Sequence, residues 1–344
     1  MPHLKTLLGT LFLALALVAG ACTPITAPAE TSSAGEATMA AMATVNPEPL
    51  VTSLQGAMGS TVGPDGALYL TEGAAGKISR LDPQTGEIST LVEGLPPAVL
   101  PIGGVTDVAF IDGTAYALVT MVADDLPVPV ESPGVVGLYR VDGPDSFTVI
   151  ADLGQWSIDN PSDSEVFIPS GVFYAMIPFG DGFLVTDGHH NRVLYVTLDG
   201  EISERMTLGN IVPTGLAAAD EVVYIALAGA NPHLARDGKI VSFGSEATIE
   251  TDVASGAPLL VDVEFGSDGA LYALSQGDFP EGADDGSPAL PDTGALVRAN
   301  EDGTFSVLAE GLNQPTSLEI IDDTAYIVTL TGEVRRIDNL SGSS

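Results

Sequence analysis

Three histidines in the body of the chain are the side chains best suited to acid–base chemistry near neutral pH. His189 and His190 are adjacent and follow Asp187, and His233 lies in a separate segment. Each could act as a general base or as a metal ligand. Neighbouring residues of a strand face opposite sides, so we do not expect one metal ion to bind both His189 and His190. The alternative for this pair is a solvated hairpin tip in which Asp187 pairs with Arg192.

Two aspartates occupy matching places in similar segments. Asp107 lies in VTDVAF and Asp262 lies in LVDVEF. Two carboxylates that face one cavity could bind a cation such as Ca²⁺ or share a proton. The alternative is that each carboxylate caps backbone amides of a neighbouring unit, or faces water. Asp107 and Asp262 are therefore our candidate metal ligands, with both interpretations open.

Other chemical signatures are weak. The chain has no Gly-x-Ser-x-Gly, no His-Glu-x-x-His, no phosphate loop and no dinucleotide fingerprint, so we predict no organic cofactor site and leave catalysis open. The loop from Gln276 to Thr293 holds five acids but lacks the spacing of a Ca²⁺ loop, which favours a solvated insertion. Trp156, the single tryptophan, could stack on a ligand, although packing beneath a loop is the default.

A repeated motif must position these residues. A turn rich in Gly and Asp precedes an apolar triplet, and the motif recurs about every 50 residues, which is typical of propeller blades with insertions. The six triplets are Leu68-Tyr69-Leu70, Ala115-Tyr116-Ala117, Phe183-Leu184-Val185, Val223-Tyr224-Ile225, Leu271-Tyr272-Ala273 and Ala325-Tyr326-Ile327. Each unit contains short alternating segments bounded by turn residues, which predict antiparallel strands joined by hairpins.

Four strands in each of six units predict an all-β fold, a six-bladed β-propeller that occupies residues 49–340. The sixth unit lacks an outer strand, and the segment around residues 49–54 resembles the outer strands of other units. We therefore expect this N-terminal strand to complete the last blade and close the ring. No segment with helical periodicity competes with strands in this region.

Composition limits the partners of the protein. The 344 residues include 11 Lys and Arg against 46 Asp and Glu, for a formal charge of −35. So few basic residues argue against nucleic-acid binding, which depends on clustered positive charge. The single cysteine excludes an intrachain disulfide and a Cys-based zinc site.

The first residues resemble a bacterial lipoprotein leader. Residues 1–21 contain one early Lys and an apolar run from Leu7 to Val18, typical of a signal peptide. Small residues then precede Cys22, as in a lipobox, which predicts lipidation of Cys22; the alternative is an ordinary signal peptide cleaved after Ala21. Residues 22–48 are rich in Ala, Thr, Ser, Pro and Glu and are expected to form a flexible tether. The expected location is the cell envelope, outside the cytoplasm.

The propeller region also resembles a known group. It is similar, over about residues 49–338, to the ScyD/ScyE-type propellers of the scytonemin gene cluster, and more broadly to NHL-repeat, gluconolactonase-like and virginiamycin B lyase-like propellers. The segments that carry the resemblance are GPDGALYLTEG, GVTDVAF, VPTGLA, VDVEFGSDGALYAL and GALVRANEDGTFSVLAEGL. The resemblance implies a propeller fold and a secreted setting, but no established reaction.

Two local patterns refine this resemblance. The segment from Val185 to Val193 is close to the NHL pattern, in which Asp187, Asn191 and Arg192 would brace a hairpin. Gluconolactonase-like enzymes bind a divalent metal near the channel mouth, and their first inner strand carries Glu-Gly-Pro. The corresponding stretch here, from Gly56 to Val62, has no acid, so the resemblance does not carry a lactonase activity with it.

The combined expectation is a membrane-anchored propeller that acts as a binding or scaffold module. Its partner would be an unknown small molecule or envelope protein, the membrane would be contacted only through the lipid, and we expect a monomer. The alternative is a metal-dependent hydrolase, lactonase or lyase with its site at the channel mouth. Its candidate residues are His189, His190 and His233 with a cation near Asp107 and Asp262.

Overall fold

A computed structural model describes residues 40–41, 47–131, 133–163, 168–244, 250–283 and 286–343. All of them belong to one compact unit, Ala37–Ser344. The proposed signal peptide, Cys22 and most of the tether lie outside the described residues, as do Asp284 and Asp285 of the acidic loop. Among the described residues, no helix has the length and apolar character needed to span a bilayer.

The chain forms six antiparallel sheets arranged as a six-bladed β-propeller, which confirms the predicted fold. Two short strands precede the first full blade: β1 (Ala40–Ala41) and β2 (Glu48–Val51). Blade one contains β3 (Ala57–Val62), β4 (Leu68–Glu72), β5 (Lys77–Leu81) and β6 (Ile88–Glu93). Blade two contains β7 (Gly104–Ile111), β8 (Thr114–Thr120), β9 (Gly137–Gly143) and β10 (Ser146–Asp152).

The remaining blades follow a short helix, α1 (Leu153–Asp159). Blade three contains β11 (Phe173–Phe179), β12 (Gly182–Asp187), β13 (Arg192–Thr197) and β14 (Ile202–Thr207). Blade four contains β15 (Pro213–Ala219), β16 (Val222–Leu227), β17 (Gly238–Gly244) and β18 (Thr251–Ala257). Blade five contains β19 (Leu260–Phe265), β20 (Leu271–Ser275), β21 (Gly294–Ala299) and β22 (Phe305–Leu312). Blade six contains β23 (Pro315–Ile321), β24 (Thr324–Thr329) and β25 (Val334–Asp338), and 3₁₀ turns lie at Gly73–Ala75 and Ser341–Ser343.

Helix α1 was not expected from the sequence. It connects blades two and three, and the carboxylate of Asp152 caps it by accepting a hydrogen bond from Gln155 N at 2.8 Å. A seven-residue helix is too short to show helical periodicity, which explains why the sequence pattern did not predict it.

The N-terminal strand closes the ring. The order β2-β25-β24-β23 makes β2 the outer strand of blade six, antiparallel to β25, with Glu48 opposite Arg336 and Val51 opposite Val334. Blade six is thus built from both ends of the propeller, without a covalent link. Strand β1 adds a short parallel pairing to the outer edge of blade five.

Removing the closing strand β2 should destabilise the propeller much more than removing the residues before Val45, which loses only the two-residue pairing of β1. We expect a chain that begins at Val45 to melt close to the full-length protein. A chain that begins at Gln55 loses β2 and several backbone hydrogen bonds worth about 1 kcal/mol each, and it exposes the edge of β25. Thermal denaturation followed by circular dichroism measures the difference. Equal melting temperatures for the two truncations would contradict closure by β2.

The aromatic residue of the repeated triplet packs against the next blade in blades one, two and four. Tyr69 of blade one lies against Phe110 of blade two, with ring centroids 4.8 Å apart. Tyr224 of blade four lies against Phe265 of blade five at 5.0 Å. These aromatic pairs and the apolar residues around them fill the space between blades. The repeat is therefore a packing motif.

Buried hydroxyl groups also join the blades near the axis. Thr106 of blade two donates to the carbonyl of Phe173 in blade three at 3.2 Å, and Thr214 of blade four donates to that of Leu260 in blade five at 2.9 Å. These bonds link the inner strands of neighbouring blades through their backbone carbonyl groups. They hold the inner strands at a fixed spacing around the channel.

Candidate functional site

The six inner strands, β3, β7, β11, β15, β19 and β23, contact one another in a closed ring around a central channel. Each of them carries an irregularity of register at the same level of the ring. Such bulges change the direction of side chains and are common beside functional sites. The residues at this level are Gly59, Asp107, Ala175, Gly215, Asp262 and Ser317.

Asp107 and Asp262 each link two blades. One oxygen of Asp107 accepts a hydrogen bond from Val108 N at 2.8 Å, and the other accepts one from Met176 N in blade three at 2.7 Å. Asp262 repeats the arrangement with Val263 N at 2.9 Å and Leu318 N in blade six at 2.7 Å. The capping of amides in a neighbouring blade, considered above as an alternative, is therefore present. A role of these residues as metal ligands stays a prediction.

Glycine is required beside each aspartate. A side chain at Gly59 or Gly215 would collide with the carboxylate and backbone of Asp107 or Asp262, respectively. Blade one therefore packs directly against Asp107, and blade four packs directly against Asp262. The two halves of the ring repeat the same clasp, in which an aspartate lies between a glycine of the preceding blade and an amide of the following blade.

Two further acids, which were not predicted from the sequence, join the aspartates. Glu264 and Glu319 line the same narrow cavity, of about 60 Å³, as Asp107 and Asp262. Each glutamate lies two residues after a position of the ring, and residues two apart share a face of a strand. This periodicity was the available signal. We refer to Asp107, Asp262, Glu264 and Glu319 as the acidic chamber.

The acidic chamber favours protonated carboxyl groups. Burial raises the pKa of Asp262 to about 7 and raises the pKa of Asp107 well above its ordinary value. Burial, and then the charges of neighbouring carboxylates, raise the pKa values of Glu264 and Glu319 well above the usual range. Backbone hydrogen bonds to the aspartates oppose this shift but do not cancel it. At neutral pH part of the chamber therefore holds protons.

The channel widens at one end into a second cavity of about 930 Å³, which we call the wide mouth. Met58 and Tyr174 line both cavities, so the chamber and the wide mouth meet at these two side chains. His189, His190 and His233 all line the wide mouth. The structure thus separates the two groups of candidates along one channel, with the aspartates in the narrow part and the histidines in the wide part.

The hairpin that carries two of the histidines is held by a buried ion pair. Asp187 and Arg192 are almost fully buried, and Arg192 Nε lies 3.2 Å from Asp187 Oδ2. Arg192 also donates to Ser157 Oγ at 2.9 Å and to the carbonyl of Asn160 at 2.8 Å, both at the end of α1. Asp187 and Arg192 are two of the three residues that the NHL-like pattern predicts to brace this hairpin.

His190 belongs to this brace. Its Nδ1 lies 2.8 Å from Asp187 Oδ2, and only 1% of the side chain is exposed. The ring therefore has little access to a substrate. His189 and His233 are half-buried, and the ring of His233 meets that of Phe279 edge to face at 5.4 Å. These two are the more accessible imidazoles.

Trp156 lies behind the hairpin. The guanidinium carbon of Arg192 is 4.9 Å from the centroid of the tryptophan ring, a cation–π contact. Trp156 is half-buried on α1 and is not among the residues that line either cavity. Its contact with Arg192 makes its fluorescence a reporter for the hairpin at the wide mouth.

The described residues include no group of three or more His, Cys, Asp or Glu side chains placed to hold a metal ion. Hydrogen bonds fold the described part of the acidic loop between Gln276 and Thr293 back on itself. Gln276 accepts one from Ala289 N at 2.9 Å, and Thr293 accepts one from Asp278 N at 2.9 Å. Gln314, the residue before β23, donates to the Ala289 carbonyl at 2.6 Å and links the loop to blade six.

No family model matches this chain, and no curated protein matches it by sequence. Virginiamycin B lyase from Staphylococcus aureus matches by structure, with a TM-score of 0.53 at 16% identity over 86% of this chain and 98% of that one. A gluconolactonase from Xanthomonas campestris matches with a TM-score of 0.57 at 11% identity over 84% and 88%.

The PQQ-bound aldose sugar dehydrogenase from Streptomyces coelicolor also has a TM-score of 0.57, at 13% identity over 85% of this chain and 96% of that one. The chain shares its fold with these propellers. At such low identity the likeness extends to the fold alone. The closer resemblance to ScyD/ScyE-type propellers stays a prediction.

Proposed function

We propose that this chain is a lipid-anchored propeller of the cell envelope that binds a small molecule in the wide mouth of its channel. The volume of about 930 Å³ carries the proposal, because ligand sites in proteins usually measure about 300–1,000 Å³. Apolar side chains such as Val212 and Leu259 line it together with imidazoles and amides. The fold places this cavity at the open end of the channel, where a ligand can enter.

Rigidity of the cavity wall supports the same proposal. The hairpin with His189 and His190 is fixed by the Asp187–Arg192 pair and by α1. A wall that is ordered before the ligand arrives loses less conformational entropy on binding. Several propellers of similar fold are named as enzymes that act on small molecules, which is consistent with a ligand at this place.

Filling the wide mouth should abolish binding. Asn210 and Thr207 line the cavity but are exposed, so the double substitution N210F/T207F adds bulk without disturbing the core. Small-molecule fractions from the organism that carries this chain should change the fluorescence of Trp156 in the unmodified protein and leave the double variant unchanged. D145F, an exposed position far from the cavity lining, is the matched control. An equal response from all three proteins would contradict a ligand in the wide mouth.

Replacing Cys22 with alanine should release the protein from membranes. Acyl chains on Cys22 would contribute about 0.8 kcal/mol per buried CH₂ group, and the strongly acidic chain would be repelled by anionic headgroups. Fractionation of cells followed by immunoblotting measures the distribution, with T23A as a control that keeps the cysteine. Retention of C22A in the membrane fraction would refute the lipid anchor.

A second candidate is a hydrolase, lactonase or lyase acting at the same wide mouth. The observation that favours it is the pair of half-buried imidazoles, His189 and His233, in one cavity large enough for a substrate. If either acts as a general base, its replacement by alanine should remove turnover while the ligand still changes the Trp156 fluorescence. Metal dependence, with a cation such as Ca²⁺ near Asp107 and Asp262, belongs to this proposal and is tested by measuring bound metal in the purified protein.

A further inference from the structure

The charges that line the wide mouth bear on the ligand it could bind. The described residues that line it include two acids, Asp163 and Glu204, but no lysine or arginine. Arg192 lies behind the wall, where its guanidinium contacts Asp187, Ser157 and the Asn160 carbonyl, and its Nη1 also lies 3.8 Å from Glu204 Oε2. Its one positive charge is shared between the carboxylates of Asp187 and Glu204, so an anionic ligand would still meet a lining of net negative charge, which is a repulsive arrangement.

The narrow cavity continues this pattern toward the axis. Its described lining contains the four carboxyl groups of the acidic chamber and no lysine, arginine or histidine. Inner strands of three blades supply these groups: β7 supplies Asp107, β19 supplies Asp262 and Glu264, and β23 supplies Glu319. Any ionised carboxylate there gives the channel a negative potential that low-dielectric walls concentrate.

The rest of the lining is suited to an apolar body with a hydrogen-bond donor. Apolar side chains lie on several sides of the wide mouth, namely Ile102, Val172, Val212, Leu259, Val261 and Leu330. Among the polar groups, Asn231 Oδ1 is buried in the described structure without a hydrogen-bond partner. A buried acceptor without a partner is costly, and the carboxylates of Asp163 and Glu204 in the lining offer a donor on the ligand further acceptors.

We infer that the ligand of the wide mouth is an organic cation, an apolar molecule with a primary ammonium group that points down the channel toward the acidic chamber. This inference rests on the proposal that the wide mouth binds a small molecule, and it adds the chemical class. The ammonium group supplies the missing positive charge, and its N–H groups supply donors where the lining offers acceptors. The apolar body displaces water from the aliphatic walls.

Proton release should accompany binding of such a cation. A positive charge beside the chamber favours the ionised form of its carboxyl groups, so the cation displaces protons and binds more tightly as the pH rises. The titratable groups that face the ligand are the four chamber acids and Tyr174 below, and His189, His190, His233, Asp163 and Glu204 in the wide mouth. Protonation of the histidines at low pH also weakens binding of a cation. Variants must therefore separate the contribution of the histidines from that of the chamber acids.

Three probes of equal size test the inference. 4-Phenylbutylammonium, 4-phenylbutanol and 4-phenylbutyrate differ only in the charge of the end group, and the ammonium stays charged up to a pH of about 10. Binding of each to the full chain in detergent, with a chelator present, is followed through Trp156 fluorescence between about pH 5 and pH 8. We expect the ammonium to bind at least about tenfold more tightly than the alcohol, and the carboxylate to bind most weakly.

Neutral variants of the chamber provide the second part of the test. E264Q/E319Q keeps the shape of the chamber, and E301Q/E310Q makes the same charge change at exposed positions of blade five. We expect the first pair to reduce the preference for ammonium over alcohol and to weaken its dependence on pH, with unchanged alcohol binding. The second pair should change neither the preference for ammonium nor its dependence on pH.

Each other outcome overturns the inference. Equal affinity for the alcohol and the ammonium would refute the cationic class while preserving ligand binding in the wide mouth. A preference for ammonium that E301Q/E310Q reduces as much as E264Q/E319Q would refute a role of the chamber, because net surface charge would then explain it. No binding of any probe would refute both the inference and the proposed small-molecule site.

Discussion

Replacing Arg192 with methionine should lower the free energy of unfolding by about 3–5 kcal/mol. The substitution leaves the Asp187 carboxylate buried without its cation, and it removes the hydrogen bonds to Ser157 Oγ and to the Asn160 carbonyl. Methionine has a similar length and fills irregular space well, so the loss reports mainly the missing charge and hydrogen bonds. Urea denaturation followed by circular dichroism measures the effect.

An exposed ion pair gives a matched control for this experiment. Arg140 Nε lies 2.7 Å from Asp142 Oδ1, but 43% of the arginine side chain is exposed. Arg140→Met should therefore cost less than about 1 kcal/mol. If the two substitutions have equally small effects, the buried brace does not hold the hairpin. A large loss for R192M alone, with a shift in Trp156 emission, would support it.

The protein should lose stability as the pH rises from about 4 to about 7. A carboxyl group whose pKa is raised by folding binds more protons in the native state, so its contribution is fully present below the unfolded pKa. That contribution is lost as the pH increases through the folded value, which for Asp262 is about 7. At about 1.4 kcal/mol per pKa unit, and with channel water reducing the effect, Asp262 alone accounts for roughly 2–4 kcal/mol.

The remaining chamber groups act in the same direction, because burial also raises the pKa values of Asp107, Glu264 and Glu319. Surface carboxylates behave oppositely: backbone hydrogen bonds lower the pKa of Asp82, so its stabilisation is lost only in strong acid. Stability should therefore be greatest near about pH 4 and decrease on both sides.

Neutral glutamine variants identify the source of this profile. E264Q/E319Q should be more stable than the unmodified protein at about pH 8, by roughly 1–3 kcal/mol, and should show no gain near pH 4.5. Unfolding free energies at several pH values test the crossover, with E301Q/E310Q as the exposed control. A gain that is independent of pH would show that folding does not raise the pKa values of these carboxyl groups.

Blade number and ring closure were predictable because they depend on local patterns. Turn residues before an aromatic triplet, such as Leu68-Tyr69-Leu70, mark each second strand, and alternation marks the strands around it. The absence of an outer strand in the sixth unit pointed to the segment at β2, which the structure pairs with β25. Short-range periodicity does not reveal a single helical turn or two, and α1 was missed for that reason.

The chemistry of the channel was only partly predictable. Matching positions in similar segments identified Asp107 and Asp262, and strand periodicity would have added Glu264 and Glu319 if applied two residues further along. The positions of His189 and His190 in the sequence suggested a site, but they do not show whether either histidine is a buried part of the hairpin or an accessible general base. That distinction depends on Asp187, Arg192 and α1, which meet only in the folded chain.

The sequence by itself determined the strands, the repeat, the closure of the ring and the scarcity of positive charge, because each follows from residue types and their spacing along the chain. Only the tertiary structure decided which acids share a cavity, how far their pKa values rise and which histidines line the wide mouth. The physical reason is that desolvation and charge–charge interactions depend on distances between side chains from different blades. Asp107 and Glu319, for example, come from distant parts of the sequence and interact because the ring brings β7 and β23 to the same axis.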